Sequence, residues 1–167
     1  MIAIFFALSQ EVASLKSQVN ILKKIRYANA VFYQAEFCGF PVTLVQTGVG
    51  KNVSEAIHQL STYFRIQLMV SSGFAGSVNP KVGVGDLVIG RRVLSSSRGV
   101  SEEGIPIDSA LPCDASAVDI AVALSSAGAL KFHCGDILSV DKIIRQSSLK
   151  THIGNQTSAI AVDMESF

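Results

Sequence analysis

The chain has 167 residues, 49% hydrophobic and only 16% charged, with a mean hydropathy of +0.40. That is long enough for one sizeable core and too apolar for disorder. A formal net charge of +1 gives no electrostatic pull toward nucleic acid or anionic lipid, and no run of about twenty apolar residues predicts a membrane span.

Ile2 to Leu8 is a continuous apolar run, read as a first strand buried on both faces and not as a leader peptide. Val12, Leu15, Val19 and Leu22 follow at three- and four-residue steps and predict an amphipathic helix, with Glu11 at the junction. Ala30 to Phe37 and Pro41 to Gln46 read as strands joined through Cys38-Gly39-Phe40. Helical spacing runs from Val53 to Phe64, and Gln67 to Val70 is another buried strand. A small-residue loop, Ser71 to Ser77, comes next. Val82-Gly83-Val84-Gly85-Asp86 then leads into a strand over Leu87 to Ile89. Residues 95–114 are polar and turn-rich and predict a long excursion. A helix over Ala115 to Ala127, a strand over Phe132 to Val140, a short helix over Ser147 to His152 and a final strand over Ala159 to Val162 complete the chain. Strands alternating with helices predict one α/β domain over residues 1–167, built on a mixed, mostly parallel sheet flanked by helices.

The chemistry-bearing residues sit at the ends of these strands. Asp163 and Glu165 lie two apart, and a strand continuing through them would turn both to one face. Such a pair can grip neighbouring hydroxyls or share acid and base duties. Thr47-Gly48-Val49-Gly50-Lys51 is neither a Walker A loop, since Val45 stands where its first glycine belongs, nor a dinucleotide fingerprint, since Val53 stands where the third belongs. It reads as a tight strand-to-helix turn or an amide cradle for an anion or ribose. Gly73 and Gly76 admit either a plain turn or close approach of a ligand to the main chain. Cys38, Cys113 and Cys134, with His58, His133 and His152, show no metal-ligand spacing, so no metal and no cofactor is expected. The cysteines read as free thiols in a reducing cytoplasm.

Six stretches together resemble the nucleoside phosphorylase/nucleosidase family, closest to its 5′-methylthioadenosine/S-adenosylhomocysteine nucleosidase type. They are Ala7-Leu8-Ser9-Gln10-Glu11-Val12, Thr47-Gly48-Val49-Gly50-Lys51, Ser72-Gly73-Phe74-Ala75-Gly76, residues 82–88, Ser139-Val140-Asp141 and residues 161–166. They run in family order across essentially the whole chain. The resemblance implies cleavage of the N-glycosidic bond of a purine-like nucleoside. It assigns Glu11 to the attacking water, and Met164 and Glu165, with Asp163 beside them, to the ribose. It places Ile143 and Ile144 against the base, and Phe74, Ala75 and Gly76 along the ribose and nucleophile side. It also implies a homo-oligomer acting on a small-molecule nucleoside, with no nucleic acid or membrane partner.

Related phosphorylases tend to carry arginines after the first strand and near the glycine-rich loop. This chain has Ser9-Gln10-Glu11 and Ser71-Ser72-Gly73-Phe74 there, and a glutamate would repel phosphate. Water is therefore the expected nucleophile. The alternatives are phosphorolysis, including the hopanoid-associated type, and a non-catalytic nucleoside binder or degenerate fragment. Phe74 replaces a small, often polar residue of the nucleosidases, which suits a differently shaped nucleoside such as a futalosine-like one. In the family an aspartate well beyond the Met-Glu strand is the acid to the base. No residue up to Phe167 matches it, so the chain is expected to lack the family's C-terminal part.

Overall fold

A computed structural model describes residues 1–49, 53–96 and 99–167, in two compact units, Met1–Phe74 and Ala75–Phe167. The fold is α/β, with mixed sheets flanked by helices.

In the first unit the elements are β1 (Ile2–Phe6), α1 (Ser9–Lys16), β2 (Asn20–Tyr27), β3 (Ala30–Phe37), β4 (Phe40–Gln46), α2 (Val53–Tyr63) and β5 (Leu68–Ser71). They form one sheet in the order β2-β3-β4-β1-β5, parallel where β1 meets β4 and β5 and antiparallel through β2, β3 and β4. Alternation along β1 explains its unbroken apolar run. Ala3 and Phe5 pack with Ala56 and Leu60 of α2, whereas Phe6 packs with Val12 of α1 and Leu44 of β4. The β3–β4 hairpin turns on Cys38 and Gly39, both at positive φ (50° and 82°), the backbone of a two-residue turn that matches strand twist.

The expected helix through Leu22 is instead α1 ending at Lys16, followed by β2. Ile21, Ile25 and Tyr27 lie on a strand that pairs with β3, with a register shift between Ile21 and Lys23. That shift hides the period-two pattern. Lys16 and Lys24 both stand over the Tyr33 ring, at 4.6 and 5.7 Å from its centroid. The charges on this edge strand discourage pairing with another chain.

The second unit contains β6 (Gly76–Ser77), β7 (Leu87–Ser96), β8 (Ser109–Pro112), α3 (Ala115–Ala127), β9 (Phe132–Val140), α4 (Ser147–Gln156) and β10 (Ala159–Asp163). Its sheet order is β6-β10-β9-β7-β8, with β7, β9 and β10 parallel and the two outer strands antiparallel. Leu94, Leu138, Val140, Ile153 and Val162 form its core. The predicted strand over 87–89 runs on to Ser96, and the excursion contains β8, which pairs with the far half of β7. A buried carboxylate, Asp136 on β9, meets Arg92 of β7 through two nitrogens, Nε at 3.1 Å and Nη2 at 2.5 Å. This forked contact satisfies a charge that burial would otherwise disfavour.

Candidate active site

In the first unit the chemistry gathers where parallel strands β4, β1 and β5 end. The chain leaving each strand is pinned to its neighbour. The Thr47 amide donates to the Phe6 carbonyl at 2.9 Å, the Gly48 amide to the Ala7 carbonyl at 3.0 Å and the Ser72 amide to the Phe5 carbonyl at 2.9 Å. C-terminal strand edges of this kind are where open α/β sheets bind ligands. The loop after β4 continues into Gly50 and Lys51, which lie outside the described residues.

Glu11 stands at this edge, in the first turn of α1. Its Oε2 accepts the Leu8 amide at 2.8 Å, the carboxylate half of a capping box. Its Oε1 accepts the Phe74 amide at 2.9 Å, from the far end of the unit. A β-carbon at Gly73 would lie 2.7 Å from Oε1, so the glycine there makes room for the carboxylate. A carboxylate offers about four acceptor positions, and the two amides occupy two of them. The remaining lone pairs can take a proton from water. The Phe74 side chain itself is 72% exposed, and its main chain supplies the contact.

The second unit carries the remaining predicted residues. β10 ends at Asp163, and Met164 and Glu165 lie in a bend, so the strand alternation expected to turn Asp163 and Glu165 to one face stops before Glu165. The reason is local. Asp163 Oδ1 accepts the Ser166 amide at 3.4 Å and Oδ2 accepts the Ser166 hydroxyl, which folds the chain back on the strand end. Burial pushes the Asp163 carboxyl pKa up, partly opposed by hydrogen bonds from Ser166, Ser139 and the Glu165 amide. Met164 and Glu165 are half-buried. Ile143 is 65% exposed, whereas Ile144 packs against the core of the unit. Ala75 is exposed, and Gly76 opens β6, half-buried beside Val162.

Sequence reasoning passed over Asp86. Its Oδ2 receives Lys131 Nζ at 2.7 Å and the Gly83 amide at 2.8 Å, and lies 2.9 Å from His133 Nε2. These contacts, Lys131 first and the Gly83 amide next, hold its carboxyl well below the usual carboxylate range. They close the turn before β7, and this partner explains His133. The glycine spacing of residues 82–86 was the one signal of it. A cleft of about 460 Å³ between the 77–82 loop and α4, bordered by Asn79, Lys150 and Thr151, includes none of the predicted site residues except by adjacency to Gly76. Among the described residues no three His, Cys, Asp or Glu side chains could hold a metal ion, and no helix is long and apolar enough to cross a membrane.

A family model described as the phosphorylase superfamily matches residues 1–167. The chain belongs to that superfamily. Among its members, the 5′-methylthioadenosine/S-adenosylhomocysteine nucleosidase of Buchnera aphidicola subsp. Schizaphis graminum is 30% identical across 99% of this chain and 74% of its own length. The aminodeoxyfutalosine nucleosidase of Campylobacter jejuni is 25% identical across 98% of this chain and 75% of its own. In fold, the chain resembles the Neisseria meningitidis 5′-methylthioadenosine/S-adenosylhomocysteine nucleosidase crystallised with methylthio-immucillin-A. The TM-score is 0.84 at 23% identity, over 98% of this chain and 74% of that one.

Proposed function

We propose that the chain is a nucleosidase that uses water to cleave the N-glycosidic bond of a purine-like nucleoside of the 5′-methylthioadenosine/S-adenosylhomocysteine class. The observation that carries this reading is the Glu11 carboxylate, fixed by the Leu8 and Phe74 amides at the C-terminal end of β1. Superfamily membership and the nucleosidase relatives support it.

In this reading Glu11 orients water and takes its proton as the water oxygen bonds to the anomeric carbon. The base leaves with the bonding electron pair and takes a proton from solvent, so that neutral base and a free ribose hydroxyl are the products. Positive charge develops on the ribose as that bond breaks, and fixed carboxylates lower its energy. Glu165 accepts the ribose hydroxyls, Met164 packs on the sugar, and Ile143 and Ile144 flank the base. Phe74, Ala75 and Gly76 line the ribose and nucleophile side. Water is favoured over phosphate because the residues around Glu11 carry no arginine: Ser9 and Gln10 precede it, and Ser71 to Phe74 hold none. The protein acts in the cytoplasm as a homo-oligomer, consistent with exposed Ile120 and Leu124 on one side of α3.

The test is adenine release from 5′-methylthioadenosine by the purified chain, with and without inorganic phosphate. Release that is independent of phosphate and falls in Glu11→Gln supports hydrolysis. Release that requires phosphate assigns phosphorolysis. No release above buffer ends the enzymatic reading for this chain.

A further inference from the structure

Asp163 differs from the other carboxylates in that both of its oxygens meet one residue three positions on, Ser166. A carboxylate has about four lone-pair positions. Both oxygens of this one meet a single residue: Oδ1 accepts the Ser166 amide and Oδ2 the Ser166 hydroxyl.

The strand end around it is buried and polar. Asp163 stands in register with Ser139 of β9, and Ser139 with Ser95 of β7, so the three form a row across the ends of three parallel strands. Ser139 and Ser95 are buried. Met164 and Glu165 are the two residues enclosed between Asp163 and its partner Ser166.

Resting on the nucleoside reading above, we propose that Asp163 is a positioning residue: by bonding the Ser166 amide and hydroxyl it sets the bend that presents Met164 and Glu165 to the ribose, and it does not touch the substrate. A carboxylate held at both oxygens by Ser166 closes the chain around Met164 and Glu165, and so fixes the backbone on either side of the residue that grips the ligand.

The test compares Asp163→Ala, Asp163→Asn, Ser166→Ala and the Asp163→Ala/Ser166→Ala pair in the full chain. One readout is KM and kcat for 5′-methylthioadenosine. The other is exchange of the Glu165 and Ser166 amide protons, followed by NMR without ligand. If Asp163 acts through Ser166, the two alanine effects are strongly non-additive. Asp163→Ala should raise KM about tenfold, which corresponds to losing roughly one net hydrogen bond to a charged group. Ser166→Ala should reproduce a large part of that rise, the pair should be no worse than Asp163→Ala, and Asp163→Asn should recover most of it. The Glu165 and Ser166 amides should exchange at least about tenfold faster in Asp163→Ala.

A wild-type KM in Ser166→Ala beside a raised KM in Asp163→Ala overturns the proposal and returns Asp163 to the substrate. So do additive effects. If the wild-type chain releases no adenine, the functional reading fails, and amide exchange alone decides the positioning role: unchanged exchange in Asp163→Ala overturns it. If Asp163→Ala does not fold, Ser166→Ala and Asp163→Asn carry the same comparison.

Discussion

Glu11 Oε1 and the Phe74 amide meet at 2.9 Å although 63 residues separate them. The contact depends on Gly73, because any β-carbon there would stand 2.7 Å from the same oxygen. Backbone at this distance from a carboxylate cannot yield as a flexible side chain would, so the carboxylate must move. Gly73→Ala should therefore lower kcat for nucleoside cleavage by roughly 10²-fold, the cost of displacing a reacting group by about 1 Å. KM should change less than kcat, since in the proposed reading Glu165, Met164, Ile143 and Ile144 carry most of the ribose and base contacts. Thermal unfolding should shift by only a few degrees. Steady-state kinetics beside a melting curve check this, and a large KM rise with unchanged kcat would contradict it.

Glu11→Gln preserves the size of the side chain and one acceptor oxygen, so α1 should still start at Ser9. The amide cannot take a proton from water. Adenine release should drop by about 10²–10⁴-fold, the usual range for a lost general base. The Tm should fall slightly, because the Leu8 and Phe74 amides no longer both face an ionised acceptor. An unchanged rate would remove Glu11 from the chemistry.

Much of the fold was legible in the sequence because it is local. The apolar run from Ile2 and the helical spacing from Val53 and from Ala115 became β1, α2 and α3, with boundaries within a residue or two. What could not be read depends on distant partners. β2 is a strand because β3 is beside it, and its register shift after Ile21 blurs the alternation that would have marked it. β8 is four residues long and exists through pairing with β7. In the site, Glu11 and the glycine-rich loop could each be picked out, but not that Gly73 is small to admit Glu11. Asp163 was visible as a carboxylate, whereas its contacts with the Ser166 amide and hydroxyl belong to the folded turn.

Asp86 offers a pH test with a definite sign. Lys131 and the Gly83 amide hold its carboxyl below the usual range, so its folded pKa lies below its unfolded one near 4. Such a group stabilises the fold above pH 4, and the contribution is lost as pH falls through the folded pKa. Asp86→Asn should lower Tm by a few degrees at pH 7. The gap from wild type should persist to about pH 4 and close below it. Melting curves across pH 2.5–7 read this directly, and a gap that stays constant down to the lowest pH would show that the contacts act by shape and not by charge.

Asp163 predicts the opposite pH behaviour. Burial raises its folded pKa above the unfolded value, so the folded protein binds that proton more tightly than the unfolded chain does. Ionisation of Asp163 therefore costs stability above the folded pKa, and the cost disappears as pH falls through it. Asp163→Asn removes the ionisation while keeping an acceptor for the Ser166 amide. At pH 7 the variant should melt at or slightly above the wild-type temperature, and the difference should shrink as the pH approaches 4 and wild-type Asp163 takes up its proton. A variant that melts well below wild type at pH 7 would mean that the hydrogen bonds to the charged form outweigh burial. A carboxylate kept at a cost to stability, while serving only the bend before Glu165, is what a residue retained for function and not for folding should show.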